Sequence, residues 1–389
     1  MGKFRFLTGG ESHGKGLMAI VEGMVAALPL EEKYINKELK RRQQGYGRGP
    51  RMKIEEDKAE IVAGVLHGFT TGSPIALFIT NRDWQNWKEQ LSVCTIQEGV
   101  EPVTCPRPGH ADLAGVIKYG LKDIRPIIER ASARETAARV AVGAIAKRFL
   151  EEFGISIRSH TVAIGGNHWE QAEGSSVDWQ QVEASPVRCA HAETGKAMMA
   201  AIDEAKDSGD TLGGVFEVIA SGVPIGLGSH VSWDRRLDGR IAQAIMSINA
   251  VKGVEIGVGF ALAGVRGSQA HDVIEPSRRS NAKGLPWRHA TNRAGGIEGG
   301  ISNGEDIVVR AGIKPIATLT SPLPSIDLRS GEKVKAHYER SDVCVVPAAG
   351  IIAESVLAIV LADACLEKFG GDNLKETLAN YRNYLSNIS

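Results

Sequence analysis

Glycine is the sequence feature that most restricts how this chain can fold. The chain has 45 glycines among 389 residues, well above the usual share of ~7%. Glycine adopts backbone conformations that are closed to other residues, so the surplus indicates many sharp turns or close backbone approaches. The glycines follow no collagen period and proline is ordinary at 15 residues. We therefore expect a folded chain in which glycine-rich turns carry part of the function.

Charge and cysteine content narrow the function classes. The 46 basic and 46 acidic residues cancel, whereas a non-specific polyanion binder usually carries a basic surplus, so a nucleic-acid partner is disfavoured. Five separated cysteines without Cys-x-x-Cys and ten histidines without metal-ligand spacing predict neither a disulfide framework nor a metal site. The N-terminus lacks a signal-peptide core and the longest apolar run contains two acids. These features predict a cytoplasmic chain with no membrane partner.

Secondary-structure patterns favour a mixed α+β fold. Short β-branched runs predict strands at 59–66, 75–80, 155–164, 214–221, 254–263 and 307–311. Apolar periodicity predicts helices at 35–44, 132–153, 196–208, 236–248 and 348–369. Long loops are expected at 92–110, 165–184 and 267–292. Strands and helices alternate irregularly, no phosphate-binding glycine motif follows a strand, and no linker divides the chain. We therefore expect one domain, 1–389, rather than a nucleotide-binding α/β fold.

Two histidines lie in glycine-rich turns. His13 belongs to Gly-Glu-Ser-His-Gly at 10–14, directly after a short strand, and His110 belongs to Pro-Arg-Pro-Gly-His-Ala-Asp at 106–112. An imidazole that titrates near neutral pH suits general acid chemistry, and the prolines stiffen the second turn. A polar turn and a stiff surface loop are the alternative interpretations.

A basic segment forms the first candidate anion site. Residues 41–53 contain five cationic side chains and no acid. A small-anion site is favoured because the rest of the chain is not basic. A solvated loop and a site for single-stranded nucleic acid remain alternatives.

A second candidate anion site lies at 129–136. Ser132 and Glu135 match a capping box that would open the long helix. Arg130 and Arg134 would then lie at the positive end of the helix dipole, a costly position unless an anion binds between them and the backbone amides. The pattern predicts a phosphate or carboxylate site, with a surface ion pair of Arg134 as the alternative.

The C-terminal third adds a glycine-rich segment and a carboxylate. Five glycines fall between 295 and 304, where backbone could lie flat against a planar or phosphorylated ligand. A cation and a hydroxyl follow at 314–318. Asp342, close to Arg340, is interpreted either as a carboxylate of depressed pKa or as half of a simple ion pair.

Taken together and in this order, the motifs resemble those of chorismate synthases. The resemblance rests on Gly-Glu-Ser-His-Gly at 10–14, Glu-x-x-Ser-Ala-Arg-x-Thr at 129–136 and Arg-Ser-Asp-Val-Cys from 340, with the 106–112 and 292–300 segments in agreement. It implies a trans 1,4-elimination of phosphate from 5-enolpyruvylshikimate 3-phosphate that gives chorismate and requires reduced FMN without net redox change. It also implies a β-α-β sandwich, with helices packed between two mainly antiparallel sheets, and a homotetramer.

The resemblance also assigns residue roles. His13 would be the acid toward the departing phosphate, His110 would contact reduced flavin near N1, and Asp342 would serve the N5 region. Ser12 and Ser132 would support the proton network. The implied flavin contacts are Arg130, Ala131, Ser132, Asn249, Ala250, Gly299, Lys314, Pro315, Ile316, Ala317, Thr318 and Arg340. The implied phosphate and carboxylate contacts are Arg42 and Arg48 for nucleotide or substrate, and Arg107, Arg134 and Arg340 for substrate. Many relatives carry a hydroxyl residue at Ala317 and Gln at Asn249, which leaves those two side-chain contacts open.

Two other functions remain open at this point. A single-stranded RNA-binding protein would use the 41–53 segment and bind with a steep salt dependence. A flavin reductase would oxidise NADPH with free FMN and make no chorismate. No appended reductase domain is visible, so an external source of reduced flavin is expected, with NADPH as the candidate reductant.

Overall fold

Two antiparallel sheets enclose a layer of helices in the computed structural model of this chain, which describes residues 3–49, 56–94, 99–169, 176–276, 286–339 and 341–388. The strands are β1 Arg5–Gly9, β2 Gly16–Glu22, β3 Ala59–Ala63, β4 Val65–Leu66, β5 Phe69–Thr70, β6 Ile75–Thr80, β7 Ser156–Ile164, β8 Asn167–His168, β9 Gly214–Ser221, β10 Val251–Ile256, β11 Ile274–Pro276, β12 Trp287–His289, β13 Ile297–Glu298, β14 Ile301–Ser302, β15 Ile307–Ile313, β16 Pro324–Ile326 and β17 Lys333–Lys335. The helices are α1 Glu32–Gln43, α2 Asp112–Tyr119, α3 Arg125–Ala131, α4 Thr136–Glu151, α5 Trp179–Ala184, α6 Ala192–Asp207, α7 Leu237–Met246, α8 Gly267–Ala270, α9 Val346–Phe369 and α10 Leu374–Ser386.

The sheet topology confirms the predicted layering. One sheet has the strand order β1-β2-β6-β3 and the other the order β10-β15-β9-β7-β8, and every pairing is antiparallel. Helix α4 packs on β1 and β2 of the first sheet, α9 packs on β7 and β9 of the second, and α4 runs along α9. The fold is therefore α+β, with helices between two antiparallel sheets.

Several predicted boundaries hold and others fail. Strands β6 and β9 begin and end where the pattern places them. The strand predicted at 254–263 instead ends at Ile256, and a 3-10 turn, Gly259–Gly264, follows. The predicted loops 165–184 and 267–292 contain β8, α5, α8, β11 and β12, and residues 277–285 of the second lie outside the described residues. Elements of two to six residues are too short for periodicity to reveal them.

The helix predicted at 132–153 starts later than expected. Ser132 has extended backbone (φ −60°, ψ 143°) that ends α3, and its hydroxyl caps a 3-10 turn, Ala133–Glu135, by accepting the Arg134 N–H at 3.3 Å. The predicted capping box is wrong, because the Glu135 carboxylate accepts from Thr8 and Arg139 instead. Arg130 lies in the last turn of α3, where a cation suits the helix dipole.

Helix α9 is the centre of the hydrophobic core. All of its 24 residues except Glu367 and Lys368 are buried. Among the described residues it is the one helix long and apolar enough to cross a membrane, with mean hydropathy 2.0, but 94% of that apolar window is buried inside the protein. A helix that is apolar on every side needs neighbours on every side. Helices α1, α4 and α7 and strands β7 and β9 provide them.

Helices α4 and α9 are in close contact at Gly143. A Cβ atom at this position would lie 2.3 Å from the Cβ atom of Ser355. The contact explains one member of the glycine surplus, because no larger residue allows this helix spacing.

A buried charge network joins three layers at Glu354 of α9. Its carboxylate accepts hydrogen bonds from Arg41 of α1 (2.7 Å), from Lys147 of α4 and from Ser159 of β7 (2.7 Å). Burial alone would raise the pKa of Glu354, but Lys147, Arg41 and Arg188 together lower it to about 2. The charge is therefore retained in the core because cations surround it.

Gly143→Ala is expected to destabilise the protein by about 2 kcal/mol, because the added methyl group must push α4 away from α9. Urea unfolding gives the free energy. The matched control is Gly239→Ala in α7, where the nearest heavy atom to the new Cβ lies at 4.0 Å. Equal stability of the two variants would contradict the close helix contact.

The free energy of unfolding should change with pH in the acid range because the Glu354 carboxylate takes up a proton there. The pKa is lowered from 4.5 to about 2 in the folded protein, so the stabilisation is present above pH 4.5 and is lost as the pH falls towards 2. Glu354→Gln should lower stability at neutral pH and flatten its change across this range. Chemical unfolding at several pH values measures both effects, with exposed Glu204→Gln as the control. An unchanged acid slope in Glu354→Gln would refute this assignment.

Candidate active site

The His13 turn is held from two sides. The turn joins β1 to β2, and the amide of Asn81, just after β6, donates to the carbonyl oxygens of Gly14 (2.8 Å) and Glu11 (3.1 Å). On the other side, the N–H of Ser12 donates to the carbonyl oxygen of Glu129 at 3.2 Å. These contacts fix the turn against α3 without any contribution from the His13 side chain.

The His13 ring is oriented by a buried carboxylate. Its Nδ1 lies 2.9 Å from Glu129 Oε1, and its backbone N–H donates to Glu129 Oε2 at 2.7 Å. The ring also stacks on Trp87 with 4.2 Å between ring centres. The Ser12 and Ser132 hydroxyls lie 3.0 Å apart beside it. Because Nδ1 faces the carboxylate, Nε2 is the nitrogen left to handle a substrate proton.

The second histidine has the same arrangement on a different element. His110 Nδ1 lies 2.5 Å from Oδ1 of Asp112, the first residue of α2. Arg107 donates its Nε–H to the same carboxylate at 2.8 Å and reaches Thr318 Oγ1 at 3.1 Å. Burial would raise the pKa of Asp112, but hydrogen bonds from His110 and Arg107 hold it well below its usual range. Asp112 is thus an anion that positions both Arg107 and His110.

Three predicted arginines form a cluster inside the protein. Arg42 and Arg134 share the buried carboxylate of Asp57, with 3.3 Å from Arg42 to Oδ2. Arg48 pairs with Asp342 at 3.0 Å. Burial lowers the pKa of Arg42 to about 10, and the neighbouring charges of Arg48 and Arg134 act in the same direction.

Among the residues that the structure describes, three guanidinium groups thus face two carboxylates in this cluster. A net positive charge in a desolvated place favours a bound anion. The Asp342 carboxylate also accepts the Gly49 N–H at 2.6 Å. The other cations of the basic segment, Arg51 and Lys53, lie outside the described residues.

The residues implied for flavin contact mostly come together. The Asn249 amide donates to the Ala131 carbonyl oxygen at 3.0 Å, and the Lys314 N–H donates to the Ala250 carbonyl oxygen at 3.0 Å. Lys314 Nζ reaches the Gly109 carbonyl oxygen at 2.7 Å, beside His110. These contacts join the 130–132, 249–250 and 314–318 segments to the second histidine.

Two further residues implied for flavin contact are Gly299 and Arg340. Gly299 lies in the turn between β13 and β14, next to the start of α7, where Leu237 N–H donates to the Gly300 carbonyl oxygen at 2.9 Å. Arg340 lies outside the described residues. Asp342 is placed with Arg48, as an ion pair.

A cavity of about 460 Å³ opens beside α3. Its lining includes Thr8, Arg130, Arg139 and Asn249. The Oδ1 atom of Asn249 is buried and has no hydrogen-bond partner among the described residues, and a buried acceptor without a donor is costly. A ligand with both an N–H donor and an anionic group would match this lining.

Several residues of the site were missed from the sequence. Glu129 and Asp112 lie inside the quoted motifs, so their proximity to the histidines could have identified them. Asp57, Asn81 and Trp87 come from segments without a motif, and only the tertiary fold brings them to the site.

Comparison with known proteins identifies the family of this chain. The family model described as chorismate synthase matches residues 4–366. The chain is 57% identical to the chorismate synthase of Moorella thermoacetica over 390 residues, covering 99% of this chain and 100% of that protein. It is 55% identical to that of Aquifex aeolicus over 398 residues, covering 99% and 98%. A crystal structure of chorismate synthase superimposes with a TM-score of 0.79 at 46% identity, covering 99% of this chain and 98% of that one.

The layered α+β fold and a site of two carboxylate-bound histidines beside an arginine cluster define a catalytic protein that handles anions. The chain belongs to the chorismate synthase family. It is accordingly an enzyme of the lyase class.

Asp57→Asn is expected to destabilise the protein by about 3 kcal/mol, because it leaves two buried guanidinium groups without their shared anion. Unfolding in urea measures this loss, and inorganic phosphate should restore part of it by occupying the cluster. The exposed Asp234→Asn variant controls for the chemical change. A variant as stable as the wild type, or one that phosphate leaves unaffected, would argue against an anion-binding arginine cluster.

Proposed function

We propose that this enzyme eliminates phosphate from 5-enolpyruvylshikimate 3-phosphate in a trans 1,4 sense, giving chorismate, with reduced FMN as cofactor. The observation that carries the proposal is the pairing of two histidines, each held through Nδ1 by a buried carboxylate, with an arginine cluster of surplus positive charge. The substrate brings one phosphate and two carboxylates, so its charge complements that cluster.

The arginines bind and orient the anionic groups. Arg48, Arg134 and Arg107 are the candidates for the substrate, and Arg42 and Arg48 for a nucleotide or substrate phosphate. Their planar guanidinium groups bind phosphate and carboxylate through two parallel hydrogen bonds. Because Arg42 and Arg134 are almost wholly buried, each contact with an anion is stronger than it would be in water.

His13 supplies a proton to the departing phosphate. Glu129 stabilises the protonated ring and fixes its orientation, so that Nε2 carries the proton that is transferred. The Ser12 and Ser132 hydroxyls, 3.0 Å apart, extend this proton network. Proton donation to a leaving group typically accelerates a reaction ~10²–10⁴-fold.

The residues present fit reduced FMN. The cavity beside α3 offers the Arg130 guanidinium for an anionic group and the buried Asn249 Oδ1 for an N–H donor. When bound, reduced FMN supplies electron density that assists the loss of phosphate, without net redox change. His110 presents its ring from the Gly109–Lys314 contact, and Asp342 provides the carboxylate for the substrate hydrogen.

The enzyme is proposed to act as a homotetramer in the cytoplasm, with reduced flavin supplied externally and NADPH as the reductant of that flavin. Apolar side chains on the outer face of the four-stranded sheet support self-association. Leu7, Met18, Ile20 and Val62 are 52–77% exposed there, and exposed apolar patches mark interfaces. The cysteines Cys94, Cys105, Cys189, Cys344 and Cys365 are free thiols, as in reducing compartments.

The RNA-binding alternative loses support from the surroundings of the basic segment. Arg41, Arg42 and Arg48 point into ion pairs with at most 17% of each side chain exposed. A site for single-stranded nucleic acid needs its cations along an open groove.

An anaerobic assay tests the proposed reaction. The protein is mixed with dithionite-reduced FMN and 5-enolpyruvylshikimate 3-phosphate, and chorismate absorbance and released phosphate are followed together. The proposal predicts equal amounts of the two products, and none when reduced FMN is omitted. Phosphate without chorismate, or NADPH oxidation with free FMN and no chorismate, would overturn it.

His13→Ala is expected to lower kcat at least 100-fold while the dissociation constant for FMN changes little, because the ring donates a proton and does not hold the cofactor. The assay above gives kcat, and flavin fluorescence gives binding. His230→Ala, at an exposed position, is the control. A loss in kcat below about threefold would contradict the acid role.

A further inference from the structure

A chain of alternating charges connects the two histidines. It starts at His13 and Glu129. Arg125 follows, 3.8 Å from Glu129 Oε1 and 2.5 Å from Glu339 Oε1. The second oxygen of Glu339 lies 4.0 Å from Arg107. The Arg107 guanidinium in turn lies 3.0 Å from His110 Nδ1 and donates to Asp112.

Trp87 ties the first half of this chain together. Its ring stacks on His13, and the Arg125 guanidinium lies 5.1 Å from its ring centre. An aromatic face attracts a cation and excludes water. The Arg125 guanidinium and the His13 ring therefore interact at short range and with little screening by water.

Glu339 is the residue that both halves share. Only 20% of its side chain is exposed, and its ionisable neighbours among the described residues include Arg125, Arg107 and His337. Burial would raise the pKa of Glu339, but its hydrogen bond with His337 and the charges of Arg125 and Arg107 lower it to about 2. At neutral pH it is thus a permanent anion between two guanidinium groups.

We propose that Glu339 is a positioning residue that couples the two histidines, because its charge neutralises Arg125 beside His13 and Arg107 beside His110. Without that anion, each arginine would repel the proton of its neighbouring histidine more strongly. Glu339 touches neither ring, so it acts through the arginines. The inference rests on the proposed function in one respect, namely that the protons on His13 and His110 serve the reaction.

The other charged groups around the His13 and His110 rings do not connect the two histidines as Glu339 does. His13 faces Glu129 and Arg125, with Glu11 in the same turn. His110 faces Asp112 and Arg107, and Lys314 is bound to the carbonyl oxygen of the preceding glycine. Among these described contacts, Glu339 is the one carboxylate that meets both arginines.

Glu339→Gln tests the coupling, since it keeps the shape of the side chain and removes its charge. Histidine titration is followed by NMR on ¹³C-histidine-labelled protein without ligands. The midpoints for both His13 and His110 should fall by about 0.5 pH unit or more, and that for the exposed His191 should stay in place. Glu332→Gln, at an exposed position seven residues earlier in the chain, is the matched control. Unmoved midpoints for either active-site histidine would overturn the proposal.

Arg125→Gln gives an independent check, also if Glu339→Gln folds poorly. Removing this cation should move the His13 midpoint upwards, and the released Glu339 charge should move the His110 midpoint in the same direction. A downward shift or no shift would overturn the coupling. Because the titration needs no turnover, failure of the coupling is distinguishable from failure of the anaerobic assay, which would overturn the proposed reaction instead.

Discussion

The carboxylate of Glu129 is the contact on which the catalytic region depends. It is fully buried, it accepts both the backbone N–H and the ring of His13, and it lies within 3.8 Å of Arg125. A buried carboxylate without such partners would neutralise itself by taking up a proton. The need to satisfy this one charge therefore determines where the His13 turn and α3 meet.

The same physical rule recurs around the site. Asp57 holds Arg42 and Arg134, Asp112 holds Arg107 and His110, and Glu354 holds Lys147 in the core. Burying each pair costs desolvation free energy. In return, each cation is held in a fixed position that a mobile surface side chain lacks. The cations are thereby positioned in advance, which is the condition for stabilising charge that develops on a leaving phosphate. Of these carboxylates, Glu354 lies on helix α9, which is buried in the hydrophobic core.

The sequence predicted the elements whose patterns are long and regular. Helix α9 and strands β6 and β9 were located closely, and the two histidine turns were identified from glycine and proline. The capping box at Ser132 failed because the chain bends there into an extended residue and a 3-10 turn, a choice that depends on the Thr8 and Arg139 contacts of Glu135. The local sequence around Ser132 does not show which distant residues will contact Glu135.

The site shows the same division. The arginines of the cluster were found because they stand in motifs, but Asp57 and Asn81, which neutralise and orient Arg134, come from other segments. Glu339 directly precedes Arg340 in the chain, yet its role follows only from the packing of the irregular 336–339 segment against the 103–107 segment, where His337 N–H donates to the Cys105 carbonyl oxygen. Ion pairs between segments that are distant in the chain form only in the tertiary structure, so the sequence alone does not reveal them.

The tautomer of His13 tests the account most directly. Two-dimensional ¹⁵N NMR of histidine-labelled protein, with His13→Gln to assign the signals, distinguishes a neutral ring protonated on Nδ1 from one protonated on Nε2. The account predicts that the neutral ring keeps its proton on Nδ1, donated to Glu129, because Nε2 is the nitrogen that gains and then transfers the catalytic proton. A neutral ring protonated on Nε2 would contradict it, since Glu129 would then not orient the ring as an acid.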